Sequence, residues 1–188
     1  MLEKVPAAIG HLLEGVRPGL DKTVYYDARL TRVEHAIAVT STAFTDHALL
    51  PARFTADGEG VSPPLAWSDV PLGAAAVLVI VEDADSPTPA PLVHMIVHGL
   101  PGSDGTLAEG AVSSEPPTVA TGRNSYLKTG WLPCDPPTGH GEHRYVFQMF
   151  ALDTVPDLGE HPGRSAVEDA LAEHTVAKGV LIGTYERA

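Results

Sequence analysis

The run Ala74–Val81, AAAVLVIV, restricts this chain more than any other segment. It lies between the turn Pro71-Leu72-Gly73 and a proline-bearing loop that opens at Glu82. A short apolar run rich in β-branched residues, with breakers on both sides, fits a strand with neither face in water. Such a strand has to be central, so both faces of its sheet must be covered. Four further runs have the same character: Ile37–Thr40, Leu49–Phe54, Val93–Leu100 and Tyr145–Leu152. Asp57-Gly58, Pro63-Pro64, Pro101-Gly102 and Pro136-Pro137 separate them, and the stretch from 103 to 121 is small, polar and loop-like. The 17 prolines and 18 glycines are scattered rather than clustered. This pattern predicts a mostly β fold, an antiparallel β-sandwich with Greek-key-like connections.

Helices are expected only at the periphery. Leu2, Val5, Ile9, Leu12, Leu13 and Val16 repeat at helical spacing over residues 1–16, before Arg17-Pro18-Gly19. The same stripe suits a helix packed on the domain or a dimerisation arm, and a homodimer is one use for it. Ser165 and Glu168 have capping-box spacing ahead of Val167, Leu171 and Val176, which predicts a second helix over 165–177. Val180–Tyr185 then reads as a final short strand. At 188 residues, against about 150 per domain, one core domain is expected over 36–188, with 1–35 as a helical extension packed on it.

The formal net charge of -12 opposes binding to nucleic acid and to anionic membrane surfaces. One cysteine, Cys134, excludes an internal disulfide, and no apolar stretch reaches membrane-spanning length. With no signal-peptide pattern at the N-terminus, a cytoplasmic location is expected.

Ionisable residues gather where loops meet strands. Asp83 and Asp85 follow the central run. Asp83 suits a site, because a carboxylate at a strand end can fix a histidine tautomer; Asp85 suits turn capping. Strand alternation places His94, Ile96 and His98 on one face, with Met95 and Val97 on the other. In HGEHRYVF it groups His143, Tyr145 and Phe147, a gradient from imidazole to phenyl that suits a pocket with a wet mouth and a dry floor. His140, flanked by glycines, reads as solvated. There is no HExxH, CxxC, GxGxxG or GxxxxGK[ST], and neither Ser62 nor Ser125 lies in a GxSxG elbow. No metal and no cofactor is therefore expected.

Five ordered motifs carry a resemblance. They are FTADGEGVSPPLAW (Phe54–Trp67), EDADSP (Glu82–Pro87), His94-Met95, PPTGHGEHRYVFQMFALD (Pro136–Asp153) and HTVAKGVLIGTYER (His174–Arg187). From about Thr40 to Arg187 the chain resembles the phosphatidylethanolamine-binding protein family, in its bacterial Raf-kinase-inhibitor-like branch. The resemblance implies a β-sandwich with a small pocket for phosphate, acetate or a phosphorylated head group. It implies ligand-binding roles for Asp83, His94, His143 and Tyr145, with the Asp135-Pro136 backbone as lining, the Asp135 N–H as an anion donor and Tyr185 at the border. The chain departs from the family pattern at Ala84, Ser86, Met95 and Asp135, where the family has proline, alanine, tryptophan and, in animal members, commonly glycine. A small anionic ligand held by the two histidines is the first functional expectation. A hydrolase using the His/Asp pocket is the alternative, and regulation of a protein partner the third.

Overall fold

In a computed structural model of the chain, residues 6–113 and 117–187 are described. Nine strands and two helices follow in the order α1 (Ala7–Leu13), β1 (His35–Ala36), β2 (Ala38–Thr40), β3 (Ala48–Leu49), β4 (Leu65–Ser68), β5 (Ala76–Asp83), β6 (Leu92–Pro101), β7 (Gly105–Leu107), β8 (His143–Leu152), α2 (Arg164–His174) and β9 (Thr175–Tyr185). The larger sheet has the order β1-β9-β8-β5-β6, with β3 also pairing with β9; the smaller has the order β2-β4-β7.

All eight residues of β5 are buried, because the sheet is covered on both sides. On one side Val77, Val79 and Val81 meet Val39, Leu65, Trp67 and Leu107 of the small sheet, together with Tyr145, Phe147 and Met149 of β8. On the other, Leu78 and Ile80 pack with Phe150, with Val167 and Leu171 of α2, and with Val24 and Leu30 of the N-terminal segment. Each fully buried side chain of this kind contributes about 1.5–3 kcal/mol.

Four expectations need correction. The large sheet is mixed, since β1 and β3 both pair with β9 in parallel. Leu49–Phe54 is not one strand, because Pro51 lacks an N–H and Ala52–Phe54 coil into a 3-10 turn. Helix α2 starts at Arg164 after an extended Gly163, with no side-chain cap; Glu168 instead pairs with Arg164 one turn back. It ends at His174, and Thr175 passes directly into β9, which takes Val176 out of the helix. Finally, α1 has seven residues and buries Gly10 rather than its apolar stripe. Ile9, Leu12 and Val16 are exposed. Leu2 and Val5 lie outside the described residues. Gly10 is required there by close approach: a Cβ at this position would sit 2.0 Å from the Thr138 carbonyl oxygen.

The segment 120–132 runs along the outer edge of β6. His98, Gly122, Ser125 and Leu132 exchange backbone hydrogen bonds with Ala120, Ile96, Val93 and His94. Ser125 Oγ also accepts from Val93 N, and Ser62 Oγ accepts from Val112 N, so both serines serve the loops.

Candidate functional site

The pairing of β5 with β6 shifts register twice, and at the second shift Val81 faces Met95 and Glu82 faces Val93. His94 is the extra residue of this bulge, and a bulge re-aims a side chain. It therefore leaves the face of Ile96, which packs toward α2, and turns to the inter-sheet side. There its ring lies 5.1 Å from Tyr145, edge-on, and 5.9 Å from Trp131. The expected grouping of His94 with Ile96 and His98 fails for this reason.

His94 Nδ1 is 2.6 Å from the Leu132 carbonyl oxygen, which can only accept. That nitrogen therefore carries the proton. Burial pushes the imidazole below its usual range, against the opposing pull of Asp83 and the Leu132 carbonyl. A neutral ring with Nδ1–H leaves Nε2 as a bare acceptor. Nε2 is buried and has no partner. The Tyr145 hydroxyl is likewise buried and unpartnered. Burial first, then the charge of Asp83, pushes this phenol well up, so it remains a donor. Burial also pushes the Cys134 thiol well up, which keeps it from acting as a thiolate.

Asp83, Leu92, His94, Tyr126, Leu132, Pro133 and Asp135 line a cavity of about 10 Å³, room for the centre of one water-sized group. It shares Leu92 and Tyr126 with an open groove of about 620 Å³. None of the buried unpartnered side-chain atoms belongs to that groove.

The remaining expected residues sit close behind the cavity. His143 is fully buried and spent on both sides: Nδ1 lies 2.8 Å from Asp83 Oδ2, and Nε2 lies 2.7 Å from His140 Nδ1. Direct donation from His143 to a ligand is therefore corrected to support of Asp83. His140 is fully buried too, not solvated, with Nε2 2.7 Å from the Leu13 carbonyl oxygen of α1. Only the folded N-terminal segment reveals that contact; the GHG motif gives no hint of it. Asp135 turns its carboxylate to Arg187, whose Nη1 donates to Oδ1 at 2.8 Å and to the Pro136 carbonyl at 2.7 Å. Tyr185 pairs across the strands with His143 and donates to Asp57. Asp85 accepts from the Arg144 amide and guanidinium. Burial pushes its carboxyl up, but the Arg144 guanidinium and amide more than offset this and hold it below the usual range. Leu92, Tyr126, Leu132 and Pro133 were missed, because no motif or periodicity marks these wall residues in the sequence.

The fold and the site together describe a β-sandwich binding protein whose small cavity is built at a strand bulge. The chain matches the model of the phosphatidylethanolamine-binding protein family over residues 40–186, and it belongs to that family. A UPF0098 protein of Methanothermobacter thermautotrophicus is 35% identical over 148 residues, 77% of this chain and 95% of its own. One from Chlamydia trachomatis is 35% identical over 153 residues, 79% of this chain and 98% of its own. The crystal structure of the Chlamydia trachomatis family homolog CT736 superimposes with a TM-score of 0.74 at 34% identity, covering 82% of this chain and all of that one. Escherichia coli YbcL, described as a member of the mammalian family, gives 0.74 at 27% identity over 81% and 99%. Among the described residues, no helix is long and apolar enough to cross a membrane.

Proposed function

We propose that this chain binds a small oxyacid at the Asp83–His94 cavity, with phosphate, acetate or a phosphorylated head group as the ligand class. The observation that carries this is that His94 Nε2 and the Tyr145 hydroxyl, whose rings lie 5.1 Å apart, are both buried without partners. Leaving such groups unpaired costs about 1–3 kcal/mol each, and one ligand can satisfy both. The pair is one acceptor and one donor. The O–H of an acid group matches it: this one oxygen donates to His94 Nε2 and accepts from the Tyr145 hydroxyl. One ligand oxygen enters the cavity, and the rest of the ligand lies at the mouth, where the groove gives it room. An oxyanion arriving without a proton takes one up, because it returns His94 to the charged state that burial disfavours. Charge-assisted hydrogen bonds then hold it.

Titration calorimetry with phosphate and with phosphoethanolamine tests this, at pH 6 and pH 8 and in buffers of different ionisation enthalpy. Affinity should be higher at pH 6, with proton uptake of up to one per site, and His94→Gln should abolish binding. The same affinity at both pH values and in the variant would remove the basis of the proposal.

A further inference from the structure

Between Asp83 and helix α1, four ring nitrogens stand in line. Leu13 O meets His140 Nε2 at 2.7 Å, His140 Nδ1 meets His143 Nε2 at 2.7 Å, and His143 Nδ1 meets Asp83 Oδ2 at 2.8 Å. Each contact has hydrogen-bond length, so each needs one proton. A backbone carbonyl can only accept, which commits the His140 Nε2 proton to Leu13. An ionised carboxylate can only accept as well. Two neutral imidazoles carry two protons, and the line needs three. Without the third, two bare lone pairs would face each other at the His140–His143 contact.

We propose that Asp83, His143 and His140 together hold one proton beyond two neutral rings and a carboxylate, and that His140 is the positioning residue that keeps it there. With its own proton committed to Leu13, His140 offers Nδ1 as an acceptor and obliges His143 to carry a proton on Nε2. Burial, the main influence on His140, pulls its imidazole down and keeps this ring the neutral member. The extra proton then lies between His143 and Asp83 and belongs to the set rather than to one group. Asp83 meets the cavity as half of a neutral pair, not as a bare carboxylate.

The same proton fastens α1. Loss of it opens the His140–His143 contact, which links the ring bound to the N-terminal segment, outside the family match, with the wall of the site. Other groups face this line. Arg17, after α1, donates to the Glu142 and His140 carbonyls and lies 3.3 Å from Asp85. The Arg17 charge opposes protonation of His140, as does that of His143, and Asp83 favours it. On the far side His94 feels both Asp83 and His143, and Asp135 acts on it as well. Arg144 is bound to Asp85, with Glu142 beside it, and His11 lies against Gly139. Arg17 and Arg144 are thus already spent on Asp85 and on carbonyls, and Asp83 gives Oδ1 to the Asp85 N–H and Oδ2 to His143.

The consequence for ligand binding rests on the oxyacid reading above; the proton count does not. In the full-length chain labelled with 15N, ring proton–nitrogen correlation spectra from pH 5 to 9 locate the protons directly. At pH 7, His143 should carry a proton on Nε2, and His140 should be the Nε2–H form with Nδ1 bare. The same titration should loosen α1, with its amide protection falling as the proton leaves. His140→Ala should lower the proton affinity of the set by about tenfold. His140→Gln, whose amide oxygen can still accept from His143, should restore most of it. A bare His143 Nε2 at pH 7, or α1 protection indifferent to the loss of the proton, overturns the proposal even if the alanine variant does not fold. Phosphate titrated alongside separates the two ideas. The predicted proton pattern without phosphate binding leaves the proton count standing and removes the oxyacid; phosphate binding with a bare Nε2 does the reverse.

Discussion

Tyr145→Phe separates a ligand site from an ordinary core position. A buried tyrosine that serves the core normally has its hydroxyl paired, and removing that hydroxyl costs stability. Here the ring is fully buried against His94 and His143, while the hydroxyl has no hydrogen-bond partner. The adjacent Cys134 thiol is only a weak acceptor. The unliganded protein therefore carries the desolvation penalty of a hydroxyl, about 1–3 kcal/mol. Removing one oxygen without changing the ring relieves part of it. The variant should be more stable by about 1 kcal/mol, a rise in Tm of about 2–4 °C for a chain of this size. Phosphate affinity should fall in the same protein by about tenfold, the loss of one hydrogen bond. Urea unfolding of the phosphate-free protein gives the first quantity and calorimetry the second. A variant destabilised by 1 kcal/mol or more would show that the hydroxyl supports the fold, and the case for a ligand there would fail.

Two further outcomes follow from the geometry. Burial lowers the pKa of His94, and of His98 and His140 in the same direction, so the fold favours their neutral forms. The unfolded chain takes up protons first, and stability should fall as the pH drops below about 6.5, the unfolded histidine value, toward the lower folded values. His94→Gln should flatten that part of the curve in urea unfolding between pH 7 and 5; an unchanged slope would contradict a neutral His94. Gly10→Val should undock α1, because its Cβ would overlap the Thr138 carbonyl, and hydrogen exchange should show α1 unprotected while β5 is unaffected. Full protection of α1 in that variant would refute the contact.

Legibility in the sequence depended on whether a residue's neighbours are local. The central place of β5 was readable because an apolar run with no polar alternation has only one comfortable position in a sheet. The pairing of Tyr145 with Phe147 on the core face followed from simple alternation along β8. Alternation failed at His94, since the extra residue that turns it inward is a property of the pairing with β5, not of HMIVH itself. The burial of His140 was hidden for a similar reason: its partner, the Leu13 carbonyl, is 127 residues away. Ser165 and Glu168 had the right spacing for a cap, yet Arg164 takes the glutamate, because that arginine also anchors buried Glu82 at 2.6 Å. The family motifs did not tell the residues that line the cavity from those that stand behind it.

The segment 120–132 that borders the cavity through Tyr126 and Leu132 also covers the free margin of β6. An uncovered margin of that apolar strand would be a template for other chains. Peeling this flap away would expose such a template each time. Grafting a different loop over this margin would then carry a solubility hazard that point substitutions at Tyr126 avoid.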